Sequence, residues 1–200
     1  GTDGKTTTAS LIHASLLAAG LKAGLISTVN AVIGAETLDT GFHVTTPEAP
    51  DVQGYLARMV AAGFTHCVLE TTSHGLAQHR VTACEFDVAV VTNITHEHLD
   101  YHRSYENYRA AKGRLFAGLR TAARKTGAPK AGILNRDDRS FDYLSGVLAE
   151  ARLTYSLSQT ADVVARHIQS APDAPHFAVA VAGRVFPVAT PLVGAYNVSN

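Results

Sequence analysis

The first eight residues, Gly-Thr-Asp-Gly-Lys-Thr-Thr-Thr, contain the residue types that bind phosphate. Glycines let a backbone approach an anion closely, because no Cβ stands in the way. In such a loop, Lys5 would reach the outer phosphates of a nucleotide and the Thr6 hydroxyl would ligate Mg²⁺. The run Gly4-Lys5-Thr6 matches the second half of the P-loop pattern G-x-x-x-x-G-K-[ST]. It predicts a nucleotide-phosphate loop, and the competing interpretation is a turn with no ligand.

Polar clusters follow three strand-like segments further along the chain. They are residues 70–75 (ETTSHG), residues 92–102 (TNITHEHLDYH) and residues 135–138 (NRDD). Ligands of open α/β sheets collect at the carboxyl ends of the strands, where such clusters would meet. Glu70 closes a buried strand in a chain with a P-loop, which is the usual position for an acidic residue that holds Mg²⁺. His96-Glu97-His98 could also suggest zinc, but its spacing is not H-E-x-x-H and no third ligand is indicated.

Helical and strand patterns alternate along most of the chain. The run after Lys5 predicts a helix that stops at Gly20 and leads into the strand AGLIST. Further helices are predicted over 50–63 and 104–120, and buried strands over 64–70, 86–94 and 130–135. We therefore expect an α/β fold, a P-loop-containing and mostly parallel sheet with flanking helices. After about residue 150 the segments read as shorter strands, which predicts a small antiparallel β-region in the last quarter.

Composition limits the classes of function. With 46% hydrophobic residues in 200, the chain can form one globular domain over residues 1–200. The formal net charge of +0 gives no electrostatic basis for nucleic-acid binding. No apolar run is long enough to span a membrane, so no membrane span is expected. The two cysteines, Cys67 and Cys84, lack C-x-x-C spacing and are expected to be buried free thiols of a cytoplasmic protein.

Six segments, in chain order, resemble the central ATP-binding domain of the Mur ligases. They are GTDGKTTT, ETTSHGLAQHRV, TNITHEHLDYH, YRAAKGRLF, NRDD and GAYNVSN, and together they run from residue 1 to residue 200. The segment TTPEAPDVQ is also similar to the tripeptide-forming members of the family rather than to other members. Any single segment is weak, but six in the same order are a strong resemblance.

The resemblance implies roles for individual residues. The ATP phosphate loop would comprise Gly1, Thr2, Asp3, Gly4, Lys5, Thr6 and Thr7, with Asp3 where the family usually has Asn. Further contacts with the nucleotide would come from Asn135, Asp138, Asn197 and Asn200. Contacts with the UDP-MurNAc-dipeptide would come from Thr45, Thr46, Thr72, Gln78 and Arg80, with Thr72 where the family usually has Ser. Metal ligands would be Thr6, Glu70, His98 and Lys112, the last as an N-carboxylated lysine.

The resemblance also implies an activity. The expected enzyme is an ATP-dependent, ADP-forming acid–amino-acid ligase of peptidoglycan precursor synthesis. It would add diaminopimelate or lysine to UDP-MurNAc-L-Ala-D-Glu through an acyl phosphate. Lys5, Glu70, His98 and Lys112 would be its catalytic residues, and ATP with two Mg²⁺ its cofactors. Without the resemblance, the sequence favours an exposed helix lysine at position 112. For Arg80 it favours a surface ion pair and a substrate contact about equally.

Two alternatives stay open at this point. One is another ligase on the same fold, such as a folylpolyglutamate or cyanophycin synthetase, although TTPEAPDVQ and SHGLAQHR disfavour the folate enzyme. The other is a P-loop NTPase that is not a ligase, although no guanine-reading N-K-x-D is present. We further expect the chain to be a piece truncated at both ends, without the N-terminal UDP-binding and C-terminal domains. Such a piece would have little or no ligase activity alone.

Overall fold

The computed structural model describes residues 1–40, 46–169, 175–192 and 194–200. Its residues group into two compact units. The first unit comprises residues 5–85 and 98–114, and the second comprises residues 1–4, 86–97 and 115–200. That residues 1–200 act as a single domain stays a prediction.

The elements alternate between helix and strand in the first two thirds of the chain. The helices are α1 (Lys5–Ala18), α2 (Ala49–Ala61), α3 (Ser73–Ala77), α4 (Leu99–His102), α5 (Tyr105–Leu119) and α6 (Phe141–Val147), with a 3₁₀ turn at Ala195–Val198. The strands are β1 (Ala23–Ile26), β2 (Asn30–Ile33), β3 (Glu36–Asp39), β4 (His66–Leu69), β5 (Val88–Val90), β6 (Ala131–Asn135), β7 (Ala151–Ser156), β8 (Val163–Gln169), β9 (His176–Val181) and β10 (Arg184–Ala189). None of the described helices is long and apolar enough to cross a membrane.

The first unit contains a four-stranded sheet in the order β3-β2-β1-β4. β1 pairs in parallel with β4, so that Gly24 lies opposite Cys67, and antiparallel with β2. Its core is formed by buried Ile26, Ala31, Ile33 and Met59. A Cβ on Gly24 would lie 2.5 Å from the end of the Met59 side chain, so a larger residue would require Met59 to shift where α2 packs on β1.

Two features of this unit differ from the sequence prediction. The β2–β3 hairpin was not predicted; it turns at Gly34, whose φ of 64° is typical of a two-residue hairpin loop. β4 was predicted to be covered on both faces and its cysteine to be buried, yet His66 and Cys67 are exposed. The reason is that α1 lies against both β1 and β4, whereas α2 packs on β1 and β2.

The second unit contains a six-stranded sheet in the order β10-β9-β8-β7-β6-β5. β5, β6, β7 and β8 are parallel, and β8, β9 and β10 are antiparallel. The prediction of a mostly parallel sheet with an antiparallel region in the last quarter is confirmed, although β7 proved to be parallel to its neighbours. Buried Phe116, Leu119, Leu134 and Leu144 form part of the core.

The parallel pair β7–β8 is joined by only a short connection, although parallel strands usually need a crossover of a dozen residues or more. The stagger of the pair explains this, because only Tyr155 and Ser156 at the end of β7 pair with β8. Asp137 fixes the turn that follows: its carboxylate accepts hydrogen bonds from Ser156 Oγ (2.7 Å), Leu157 N (2.6 Å) and Ser158 Oγ (2.6 Å).

Candidate functional site

One cavity in the first unit brings together residues from five separate stretches of the chain. Its volume is about 210 Å³. It is lined by Lys5, Thr6, Thr28, Glu70, Thr72, Ser73, His98, Tyr108 and Lys112. All four predicted catalytic residues, Lys5, Glu70, His98 and Lys112, are in this set. Residues distant in sequence therefore meet at one place, although none of them comes from the polar cluster 135–138.

Glu70 and Thr6 form a direct hydrogen bond in the cavity. Thr6 Oγ1, in the first turn of α1, donates to Glu70 Oε2 at 2.9 Å. Glu70 follows β4 and continues its ladder, with its N–H donating to Ile26 O at 2.8 Å. Its side chain is buried, and Thr28 N also donates to Oε2, at 3.4 Å. The backbone ladder thus fixes a carboxylate beside a hydroxyl, and both present oxygen ligands.

Lys112 is buried, with 5% of its surface exposed. It lies on α5, one turn after the fully buried Tyr108, and its Nζ is 4.6 Å from the centre of the Tyr108 ring. A buried lysine is rare unless it is paired. The structure therefore excludes the interpretation of Lys112 as an ordinary exposed helix lysine.

His98 enters the cavity from an unusual backbone position. It precedes the short α4 with φ 54° and ψ 34°, a left-handed conformation that is strained for a residue with a Cβ. Its ring lies 4.9 Å from that of His74 and 6.0 Å from that of Tyr108, measured between centroids. Strained positions of this kind cluster at functional sites.

Besides burial, His98 affects the pKa values of two further histidines, His74 and His102. Burial lowers the pKa of His74 below its ordinary 6.5, and nearby His98 lowers it further. The pKa of His102 is also lowered by burial, and by its neighbours His74 and His98. Both rings therefore favour the neutral form in the folded protein.

The residues predicted to bind a substrate are largely engaged with one another. Thr72 caps α3 by accepting from Gly75 N at 3.1 Å, and its hydroxyl lies 3.2 Å from Thr46 Oγ1. Arg80 donates to Thr46 O at 2.8 Å and pairs with Glu48 at 2.9 Å.

Among these residues, only Thr72 lines the cavity within the part of the chain that is described. Gln78 is exposed, with Nε2 3.4 Å from the Tyr101 hydroxyl. The predicted Thr45 lies outside the described residues.

In the second unit, the loop Gly1–Gly4 is held by residues that follow β5. Thr2 N donates to Asn93 O at 2.6 Å, and Asp3 N to Asn93 Oδ1 at 2.9 Å. Thr92 Oγ1 donates to Asp3 O at 2.6 Å. Gly4 adopts φ 73°, and a Cβ there would lie 2.0 Å from Asn200 Oδ1. The loop is thus fixed by specific contacts that only glycine permits at position 4.

The other predicted nucleotide residues of this unit are also anchored internally. Asn135 donates to Thr92 O at 2.7 Å and accepts from Asp137 N at 2.9 Å. Asp138 accepts from Ile94 N at 3.0 Å. Asn200 donates to Asn197 Oδ1 at 3.0 Å. Each of these side chains shapes the region around the loop, and direct contact with a nucleotide stays a prediction.

Three residues that line the cavity, Thr28, Ser73 and Tyr108, were not among the predicted site residues. Ser73 had a signal, because it lies in the polar cluster 70–75, and so did Tyr108, which lies four residues before Lys112 and so on the same helix face. Asp137, which holds the β7–β8 turn, lies in the polar cluster 135–138 but was given no role.

The whole chain matches a known family. The model of the Mur ligase middle domain matches residues 1–200. The chain belongs to the Mur ligase family. The expected family is therefore confirmed, and with it the fold class.

Relatives of known name share this Mur ligase domain along its full length. The chain is 40% identical to "UDP-N-acetylmuramoyl-L-alanyl-D-glutamate--2,6-diaminopimelate ligase" of Geobacillus thermodenitrificans, over 100% of the chain and 40% of the relative. It is 41% identical to "UDP-N-acetylmuramyl-tripeptide synthetase" of Deinococcus radiodurans, over 100% of the chain and 39% of the relative.

A solved structure supports the same fold. The structure of a UDP-N-acetylmuramoyl-L-alanyl-D-glutamate--2,6-diaminopimelate ligase superposes with a TM-score of 0.85 at 29% identity, over 99% of the Mur ligase domain and 39% of the other chain. The domain thus spans about 40% of the length of the relatives that it matches.

Proposed function

We propose that this Mur ligase domain is the nucleotide-binding part of an ATP-dependent ligase of the tripeptide-forming type. The reaction joins a third amino acid, diaminopimelate or lysine, to UDP-MurNAc-L-Ala-D-Glu. ATP first phosphorylates the substrate carboxylate, and the amine then displaces phosphate from the acyl phosphate. Two relatives at about 40% identity carry names of this activity.

One observation carries the proposal. A single cavity is lined by Lys5 and Thr6 of α1, Glu70 directly after β4, His98 directly before α4, and Lys112 of α5. Phosphoryl transfer brings several negative charges together, so a site for it needs cations and metal ligands at one place. A P-loop switch protein does not need a second, buried lysine in the cavity of the phosphate-binding lysine.

The residues of this chain would have the following roles. The loop Gly1–Gly4 and the start of α1, which follows it directly in sequence, would hold the phosphates through backbone N–H groups. Lys5 would neutralise charge on the transferred phosphoryl group. Asn135, Asp138, Asn197 and Asn200 would contact the nucleotide, and Thr45, Thr46, Thr72, Gln78 and Arg80 the acceptor. Arg80 already forms an ion pair with Glu48, so any substrate carboxylate would join that pair or replace Glu48.

The cavity fits Mg²⁺ by the chemistry of its donors. Thr6 and Glu70 offer a hydroxyl and a carboxylate oxygen in mutual contact. Among the described residues, no three His, Cys, Asp or Glu side chains converge on one metal position. This donor set suits Mg²⁺, which usually binds one or two carboxylates together with water and phosphate oxygens. When bound, the metal would neutralise developing charge on the phosphates, and His98 would complete its ligands.

Lys112 would act as a carbamate. An unmodified lysine would repel the metals, whereas N-carboxylation reverses the sign of its charge and supplies two oxygen ligands. Lys112 Nζ lies beside the Tyr108 ring, and Lys112 and Glu70 line the same cavity.

The test uses the full-length protein that contains this domain. Phosphate release from Mg-ATP is followed with UDP-MurNAc-L-Ala-D-Glu and with diaminopimelate, lysine or no amine. We expect release to require the nucleotide-sugar peptide and one of the amines, and to fall to background in Lys112→Ala. Release that is indifferent to the acceptor would instead indicate a non-ligase NTPase, and turnover with a folate acceptor would indicate the other ligase type.

A further inference from the structure

Ser73 presents a buried hydroxyl to the cavity. Its side chain is 1% exposed and lines the same cavity as Lys5 and Lys112. Its Oγ has no hydrogen-bond partner among the described residues. Buried hydroxyl groups are nearly always hydrogen-bonded, so an exception calls for a physical explanation.

The local structure explains why no internal acceptor is available. A serine within a helix commonly donates to the carbonyl one turn earlier. Ser73 is the first residue of α3, so the helix has no earlier turn to offer that carbonyl. Thr72 differs, because its hydroxyl accepts from Gly75 N and lies against Thr46 Oγ1. Both residues line the cavity, but the Thr72 hydroxyl is engaged by Gly75 N and Thr46, whereas the Ser73 hydroxyl has no partner among the described residues.

The surroundings indicate what kind of atom Ser73 would bind. A serine hydroxyl can donate one hydrogen bond. The same cavity is lined by Lys5, the residue proposed to neutralise phosphate charge. A cationic side chain in the same cavity as a hydroxyl donor favours an anionic oxygen as the acceptor. Such oxygens belong to a phosphoryl group or to a carboxylate.

We propose that Ser73 is a further ligand-binding residue, whose hydroxyl donates a hydrogen bond to an anionic oxygen of the ligand in this cavity. This rests on the proposed function for the identity of the ligands. The oxygen comes either from the outer phosphate of the nucleotide or from the carboxylate of the acceptor. The sequence resemblance assigned substrate contact to Thr72, and the geometry points to its neighbour.

The experiment compares Ser73→Ala with the unchanged full-length protein. Binding is measured by calorimetry in two arms, one with a non-hydrolysable ATP analogue and Mg²⁺ and one with UDP-MurNAc-L-Ala-D-Glu. Ser73→Ala removes a hydrogen bond to a charged oxygen. It is therefore expected to weaken binding about tenfold for the ligand whose oxygen accepts that bond. The affected arm identifies which ligand Ser73 touches.

Thermal unfolding without ligand provides the matched control. Because the Ser73 hydroxyl has no partner in the fold, Ser73→Ala should leave the melting temperature unchanged or raise it. Thr72→Val, which removes the occupied hydroxyl next to it, should lower the melting temperature. A fall for Ser73→Ala similar to that for Thr72→Val would show a structural role and overturn the proposal.

The outcomes also separate this proposal from the proposed function. If the unchanged protein binds both ligands and Ser73→Ala binds them equally well, the role of Ser73 is refuted and the ligase assignment stands. If the unchanged protein binds neither ligand, both are refuted.

Discussion

Replacing Gly4 by alanine tests how the phosphate loop is built. Gly4 has φ 73°, and an added Cβ would lie 2.0 Å from Asn200 Oδ1. A left-handed conformation costs an alanine about 1–2 kcal/mol. Moving Asn200 away would break its hydrogen bond to Asn197 Oδ1, which contributes about 1 kcal/mol. We therefore expect Gly4→Ala to lower the free energy of unfolding by about 2–3 kcal/mol.

Gly127 provides a matched control for the backbone contribution alone. Its φ is 79°, but nothing lies within 4 Å of the position that a Cβ would take. Gly127→Ala should therefore lower the free energy of unfolding by only about 1–2 kcal/mol. The difference between the two variants isolates the close contact with Asn200.

The assay is urea unfolding followed by circular dichroism, with nucleotide binding measured by calorimetry on the same samples. In the double variant Gly4→Ala/Asn200→Ala, the clash is gone, and the stability cost of the alanine at position 4 should shrink to that at Gly127. Gly4→Ala should also weaken binding of Mg-ATP, whereas Gly127→Ala should not. Equal stability losses for Gly4→Ala and Gly127→Ala would refute the contact with Asn200, and unchanged nucleotide binding would refute the role of the loop.

Three other perturbations test the site and the fold. Glu70→Gln keeps an acceptor for Thr6 but removes the charge, so the Mg²⁺ concentration for half-maximal activity should rise at least about tenfold with little change in stability; an unchanged Mg²⁺ requirement would refute Glu70 as a metal ligand. Thr72→Val removes the cap of α3 and leaves Gly75 N without its acceptor, so the free energy of unfolding should fall by about 2 kcal/mol; urea unfolding measures it, and an unchanged value would contradict the cap. Asp137→Asn tests acid stability: desolvation acts to raise the pKa of Asp137, but hydrogen bonds from Ser158, Ser156 and Leu157 N outweigh it and hold the pKa below its ordinary 3.8. The carboxylate therefore stabilises the fold above pH 3.8 and loses this effect as the pH falls below that value. Asp137→Asn should be less stable than the unchanged protein at pH 7 and should lose less stability on acidification; parallel pH profiles would contradict this.

Most elements could be predicted because their signals are local. α2, α5 and β6 were expected within a residue or two of their observed bounds, since apolar periodicity is set by the pattern of a single segment. The β2–β3 hairpin was missed because each strand has only four residues, too few for a clear period. The exposure of β4 could not be read from its apolar composition, because it depends on where α2 packs.

The candidate site also combines residues that could be named from the sequence with a distinction that depends on the fold. Lys5, Glu70, His98 and Lys112 were named from motifs, and the fold places them around one cavity. Motifs could not distinguish Thr72 from Ser73, because both are small hydroxyl residues at the same strand end. The hydrogen bond to Gly75 N, which decides between them, exists only after α3 has formed.

The sequence by itself determined the family, the alternation of helices and strands and the residue types available for phosphate and metal binding. These properties depend on side-chain identity and short-range spacing, which need no tertiary contact. Only the tertiary structure decided that Lys112 is buried, that Gly4 lies against Asn200 and that the hydroxyl of Ser73 has no partner. Burial and hydrogen bonding depend on residues far apart in the chain, and their positions follow from the packing of whole elements.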